Sequence, residues 1–578
     1  MNFQKYLDVV SGNFRKAVKV EWLNPDESVA FEFTNALYDI NVDLSVNYQN
    51  GSRRTCTLTL NNDRNQFPIN FNNIWFGQKF KLWMGVYIDD KTPYYFPQGV
   101  FYITNPNEAY QPITKTIKIN GVDKWAYLDG TLHGKLSGTY QTNIGNDLCD
   151  ATRELLSLPR GCASNLLLYD NIGLYFDIYN ESYCFAYEKT TGKYVSNNKS
   201  KGNTEAVTIL TAKKDMMVSF KYSCASYAED VFYLIINEGK PYSKIIENGI
   251  SGKYTRLFET AVSAGDTITF RYKKNGFVDD AEDKCTFFNI SIGENLGVID
   301  PISPFISPYL LDKTSYVLNT SKDYDSTKTY YKYEDGVYNK YTYVNSSQFA
   351  KDYSFLYTEV LVKKCPYTAK VERGRTYADV LLEYATILCA HIYYDVNGRL
   401  TIEPIIDEAD DITDTNKEVV YHFTVEEKQL LDLSTSYNFE KVYNDIIVLG
   451  NIVNGYQFKA RVQNRNLMSD TCVQKIGLKS KEPFEDNQYY SDEQCKELAI
   501  YYAKIDTILQ KSGNVGSTPL YHLDVNKLVT VSTPNNNMSK ELFLITGYTL
   551  NSSNSMSISV VSVNVLKDFS VVEADVYE

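Results

Sequence analysis

INVDLSVNYQNGSRRTCTLTLNN, residues 40–62, reads as two alternating strands, INVDLSVNY and RTCTLTL, separated by a polar, glycine-containing turn. Period-two alternation puts successive side chains on opposite faces, and a turn between two such runs makes antiparallel neighbours. The pattern runs almost unbroken from Ala17 to Trp125, through VKVEWL, VAFEF, FKLWMGVYI, GVFYIT and KTIKINGV. Gly, Asn and Pro punctuate it, as an antiparallel barrel or sandwich requires. All four tryptophans (22, 75, 83 and 125) fall in this region, which predicts a separate, aromatic-rich N-terminal core.

Two features of the region invite a ligand: Arg53 and Arg54 as a phosphate grip, Trp75 and Trp83 as a sugar platform. Neighbouring strand positions face opposite ways, so the two arginines do not form one clamp. The tryptophans lie on either side of Gly77, and packing under the first barrel suits them better than pairing on a ligand.

The chain has 578 residues, which suggests about three or four domains. Its 43% hydrophobic and 22% charged content is that of ordinary globular protein and excludes disorder throughout. No apolar run reaches the roughly 18 residues of a membrane-spanning helix, and MNFQKYLDVVSGNFRKAV lacks the apolar segment of a secretory signal. A net charge of −13 argues against tightly held nucleic acid, which needs clustered Lys and Arg. The 49 tyrosines predict large surfaces that meet other proteins or glycans. Ten cysteines are scattered without CxxC spacing, and buried free thiols are expected rather than bridges.

Beyond a short N-terminal helix within 1–16, the order of patterns gives the domain plan. A β-barrel occupies 1–135, and a helical connector follows at 136–164, with Asn146 as N-cap, Leu148, Ala151, Leu155 and Leu158 on one face, and Pro159 as stop. Residues 165–298 alternate on their own terms (TEAVTILTA, DMMVSFKYS, VFYLIIN, DTITFRYKK, CTFFNISIG) and read as an inserted jelly-roll-like β-sandwich. Residues 299–364 hold a proline-rich linker and a small tyrosine-rich β module. There Tyr330, Tyr331, Tyr333, Tyr338 and Tyr341 flank the turn at Glu334-Asp335-Gly336, a docking face for glycan or protein. An α/β region at 365–428 combines a helix capped by Thr376 and Asp379 with a hairpin turning at Asn397-Gly398. Residues 429–578 form a second barrel with a helical insertion near 465–515, capped at Ser491 and apolar at Cys495, Leu498, Ala499, Tyr502 and Ile505.

The two barrels echo one another. DLSVNY (43–48) recurs as DLSTSY (432–437), and FYIT (101–104) as FLIT (543–546), in the same order. Two related barrels in one chain allow a trimer to present a ring of quasi-sixfold symmetry.

Motifs of chemistry are missing. The four histidines (133, 391, 422, 522) make no ligand pair, and no P-loop, GxGxxG or GxSxG is present. Asp395, Asn397 and Gly398 fit a hairpin turn rather than a calcium loop, and the acidic run DEADDITD (407–414) fits a polar loop as well as it fits a glycosidase pair. No catalytic residue, cofactor or metal is expected, and the chain is expected not to be an enzyme.

Several stretches resemble the baseplate hub, or tail-associated, proteins of long-tailed bacteriophages and phage-tail-like particles: SRRTCTLTLNN (52–62), NNIWFGQKFKLWMG (72–85), FPQGVFYIT (96–104), DKWAYLDGTLHG (123–134), ADVLLEYATILCAHIYYDVNGRLTIEP (378–404), YNFEKVYNDIIVLG (437–450) and YHLDVNKLVTV (521–531). The resemblance implies a mainly β protein with an α/β part, whose two related barrels form the hub core of a homotrimer in the tail baseplate or tip of a virion. That trimer would join a sixfold tail tube or distal tail protein to a threefold spike or tip protein, around a channel for tape-measure protein and for DNA that passes without specific binding. At least one of Arg53 and Arg54 is then expected in an ion pair at a subunit or tube interface. The insertion at 165–345 lies outside the common core, and glycan-binding adhesion is the alternative role it suggests.

Overall fold

Alternating runs become strands where a hydrogen-bonding edge finds a neighbouring strand, and most bury one apolar face as they do so. The computed structural model describes residues 2–37, 39–62, 67–70, 74–110, 115–136, 139–161, 166–226, 229–240, 243–276, 283–306, 315–317, 329–334, 337–345, 348–351, 364–365, 367–388, 390–404, 419–425, 429–487, 489, 491–507, 509, 511–534, 538–551, 555–562 and 570–572. The chain divides into two units, one of Met1–Arg153 with Ile302–Glu578, the other of Glu154–Pro301.

In the first unit, helix α1 (Asn2–Val10) precedes strands β1 (Lys16–Leu23), β2 (Val29–Thr34), β3 (Ile40–Asn47), β4 (Arg54–Asn61), β5 (Lys79–Tyr87), β6 (Pro93–Ile103), β7 (Asn107–Tyr110) and β8 (Lys115–Asp123). The C-terminal part supplies β9 (Val419–Thr424), β10 (Leu430–Tyr437), β11 (Lys511–Ser517), β12 (Leu528–Thr533), β13 (Met538–Leu550) and β14 (Met556–Ser562). All fourteen belong to one sheet. Among the described strands no sheet closes into a barrel, which corrects the expected pair of barrels. The edge of β3 that would complete the first one is taken by β13, with Leu44 opposite Leu550 and Val46 opposite Tyr548, while β2 covers the free edge of β1.

The separate N-terminal core is corrected with it. Trp22, Leu44, Leu58, Phe80 and Ile119 share one buried cluster with Val515, Val529, Phe543, Tyr548 and Ile558. Of the tryptophans, Trp22 and Trp125 are buried. Trp75 is 43% exposed, and Trp83 is half-buried with its Nε1 donating to Glu21 (2.8 Å), so neither packs beneath a barrel.

The helices follow their caps. α2 (Leu148–Leu156) is capped by Asp147, whose Oδ1 accepts from Cys149 N (2.8 Å) and Asp150 N (3.0 Å), one residue after the expected Asn146. α3 (Tyr377–Leu388) begins with a reciprocal box: Thr376 Oγ1 accepts from Asp379 N, and Asp379 accepts from Thr376 N. α4 (Asp492–Asp506) is capped by Ser491. It lays Cys495, Leu498 and Ala499 against Ile446, Val448 and Val462 of a small sheet, while the Ile505 side chain lies outside the described residues. The expected hairpin forms from Ala390–Tyr394 and Leu400–Pro404.

Besides the short pair Pro159–Gly161 with Asn295–Val298, the second unit has two larger antiparallel sheets, ordered Phe185–Glu188, Lys193–Ser196, Lys284–Gly293, Met216–Ala225, Lys253–Val262 in one and Phe176–Asn180, Glu205–Ala212, Thr267–Lys273, Val231–Ile236, Lys244–Ile250 in the other. Both contribute to one core that includes Phe220, Phe232, Phe270 and Phe287.

Candidate functional site

Arg53 and Arg54 sit where the chain passes from the QNG turn into β4, and they are 2% and 0% exposed. Asp123, at the end of β8, holds that backbone: its Oδ2 accepts from Arg53 N (2.6 Å) and Arg54 N (2.9 Å), its Oδ1 from Ser52 Oγ (3.1 Å) and Trp125 N (3.2 Å). Burial pushes the Asp123 carboxyl up against these hydrogen bonds, which favour the ionised form.

The two guanidinium groups go to different partners. Arg54 Nη2 donates to both carboxylate oxygens of Asp524 at 2.7 Å, and Nη1 to Tyr548 OH at 3.5 Å. Burial is the largest single influence and opposes its charge, but Asp524, Tyr548 and Asp123 together outweigh it and hold the pKa above the usual arginine value. Arg53 Nε donates to Gln49 O (2.6 Å), and Nη2 lies 3.1 Å from His391 Nδ1. Its Cζ stands 3.2 Å from the ring centroid of Tyr393, whose hydroxyl donates to Glu403 Oε2 (2.7 Å). Among the described residues no carboxylate pairs with the Arg53 guanidinium, and burial lowers its pKa. An intermolecular ion pair needs an exposed guanidinium, and neither arginine has one. The constellation is a clasp that ties β4 to the 390–404 hairpin and to the 521–550 segment.

The other singled-out residues are dispersed. His133 stacks on Tyr127, His422 Nδ1 lies 2.6 Å from Thr530 Oγ1, and His522 packs among Phe3, Tyr6 and Phe96 with its pKa lowered to about 4 by burial. The tyrosine-rich hairpin pairs Tyr330 with Tyr341, Tyr331 with Lys340 and Tyr333 with Tyr338. The side chains of those tyrosines, the turn at 335–336 and the acidic run 407–414 lie outside the described residues. Among the described residues no three His, Cys, Asp or Glu cluster as a metal site.

The strand edges hold what sequence reasoning reached only through two short echoes. In the first half, neighbours run β3-β4-β8-β6-β5-β1; in the second, β10-β11-β14-β13-β12-β9. Each strand has the same place in chain order as its counterpart, so the halves repeat one topology. The outermost pair differs, β1 on β5 being antiparallel and β9 on β12 parallel. The halves join where β3 meets residues Gly547–Leu550 of β13. The counterparts of these two edges are unpaired among the described strands. β10 has β11 as its one neighbour, and β7, which continues the course of β6, has β8. Every residue of β7 is exposed. β10 leaves Leu431 57% and Tyr437 52% exposed, and its Leu433 is half-buried where the matching Leu44 of β3 is 2% exposed.

No protein-family model matches the chain, and no curated protein sequence matches it. Among solved structures it is similar to a tail protein from Neisseria meningitidis MC58 (8% identity, 96% of this chain and 98% of that chain, TM-score 0.43). It is also similar to the 43 kDa tail protein of prophage MuSo2 from Shewanella oneidensis (9%, 94% and 98%, 0.42) and to prophage tail protein gp18 from Listeria monocytogenes EGD-e (8%, 94% and 94%, 0.34).

Proposed function

We propose that the chain is a structural protein of a bacteriophage tail, its baseplate hub, and that copies join head to tail into a ring through β10 of one and β7 of the next. The repeated topology carries this reading. Inside one chain, the β3 edge of the first half is completed by β13 of the second. The β10 edge of the second half is the same edge one repeat later, and it lacks a partner among the described strands. An uncovered edge is a template for another strand, and a heterologous contact that repeats by rotation closes a ring.

The register follows from the repeat. DLSVNY on DLSTSY and FYIT on FLIT carry the observed pair Ser45–Thr549 onto Ser434–Asn107. Three copies then present six half-sheets of one repeated topology, the arrangement implied by the resemblance to hub proteins. Such a ring fits a sixfold tube on one side and a threefold spike or tip on the other, with tape-measure protein and DNA passing through its centre. A net charge of −13 leaves a passing duplex unheld.

Directly opposed strand residues have Cβ atoms about 4.5–5.5 Å apart, close enough for a cross-link. The double variant Ser434→Cys, Asn107→Cys, oxidised at high protein concentration, is expected to give covalent oligomers that end at a closed trimer, and neither single variant is expected to do so. A double variant that stays monomeric under those conditions refutes the head-to-tail ring.

A further inference from the structure

In the second unit, strand Met216–Ala225 lies beside Lys284–Gly293 with Cys224 directly opposite Cys285. The next pair along, Ser223 and Thr286, fixes that register with an Oγ to Oγ1 hydrogen bond of 2.6 Å. Cys285 Sγ donates to Cys224 Sγ at 2.7 Å, closer than two unbonded sulfurs comfortably rest. Both side chains are buried, at 3% and 0% exposure. The other described cysteines have no such neighbour among the described residues.

We propose that Cys224 and Cys285 are a redox modification site, joined as an intrachain disulfide when the protein meets a small-molecule disulfide oxidant such as oxidised glutathione. The inference does not depend on the assembly reading. Opposed strand residues hold their Cβ atoms about 4.5–5.5 Å apart, and a disulfide needs about 3.5–4.5 Å, so closure asks for a small approach of the two strands. The pair can provide it, because only Ala225–Lys284 lies beyond it in the ladder.

Cys224 is the attacking sulfur. The Cys285 thiol, Ser226 and Tyr254 stabilise its thiolate and lower its pKa, whereas burial raises that of Cys285. The Cys224 thiolate attacks the oxidant's S–S bond, forming a mixed disulfide and releasing one thiol. Cys285 then loses its proton and displaces the second thiol. Two S–H bonds are lost and one S–S bond is made in the protein, while the oxidant gains the two electrons and two protons.

The test is thiol counting on the full-length chain incubated with oxidised glutathione, denatured, alkylated and mapped by mass spectrometry. The expected result is two fewer alkylated sulfurs than the ten of the reduced chain, with one peptide pair linking Cys224 to Cys285. Ten alkylated sulfurs, or a linked pair that omits either residue, overturns the proposal. Cys224→Ser and Cys285→Ser are each expected to abolish the two-thiol loss, and its persistence in either variant also overturns it. The peptide map of the unmutated protein decides even where a variant fails to fold.

Discussion

Asp524→Ala removes the carboxylate that both oxygens present to Arg54, across a separation of 470 residues, and leaves the guanidinium in place. Arg54 is 0% exposed and Asp524 19%, so the stranded charge gains no water from the Arg54 side. Stripping one partner from a buried pair costs about 3–5 kcal/mol. The partial exposure of Asp524 puts this pair at the lower end, about 3 kcal/mol or more than 100-fold in the folding equilibrium. The double variant Arg54→Met, Asp524→Leu removes both charges and is expected to recover most of that loss, since apolar replacements of buried pairs are often neutral. Urea denaturation followed by tryptophan fluorescence reads the right unit, because all four tryptophans lie between residues 22 and 125. Hydrogen exchange should rise first at 44–47 and 547–550, where β3 meets β13 beside the clasp. A cost for Asp524→Ala below about 0.5 kcal/mol, the scale of a surface pair, refutes the clasp. So does a double variant as unstable as the sum of its two single variants.

Burial holds the folded His522 near pKa 4 against an ordinary 6.5, so the unfolded chain takes up a proton that the folded one refuses. The stability is fully present above about pH 6.5 and is lost as pH falls towards 4, by about 3 kcal/mol for the whole shift. His522→Phe should flatten the urea-midpoint profile between pH 7 and 4.5, and an unchanged slope contradicts the assignment. Gly398 turns its hairpin at φ 72°, and an added Cβ would stand 2.6 Å from Val100 Cγ2. Gly398→Ala is expected to cost at least about 1–2 kcal/mol through the left-handed backbone alone, and an unaltered melting temperature counts against that packing.

The caps show how far local chemistry reaches. Thr376 with Asp379 and Ser491 with Gln494 were legible because a cap is decided within four residues. Asp147 was displaced to Asn146 because two capping residue types stand side by side. The arginines were legible only in part. Alternation separated their two side chains correctly in kind, but burial of both depended on Asp524, Tyr548, His391 and Tyr393, which arrive from distant segments and carry no signal near residue 53. Trp75 and Trp83 were misread for a related reason. Packing is decided by what lies opposite a strand face, and the aromatic content of the strand itself does not contain that information.

By itself the sequence determined the strands, their faces and the echo of one half in the other, because period-two alternation and turn residues act over a handful of positions. Tertiary structure alone decided that β3 meets β13 instead of closing a barrel, that one core serves both halves, and that β7 and β10 each have one neighbour among the described strands. Backbone hydrogen bonds are alike for nearly every residue but proline, so the choice between closing a sheet on itself and joining it to another is made by shape, burial and the Arg54–Asp524 pair once distant segments have met.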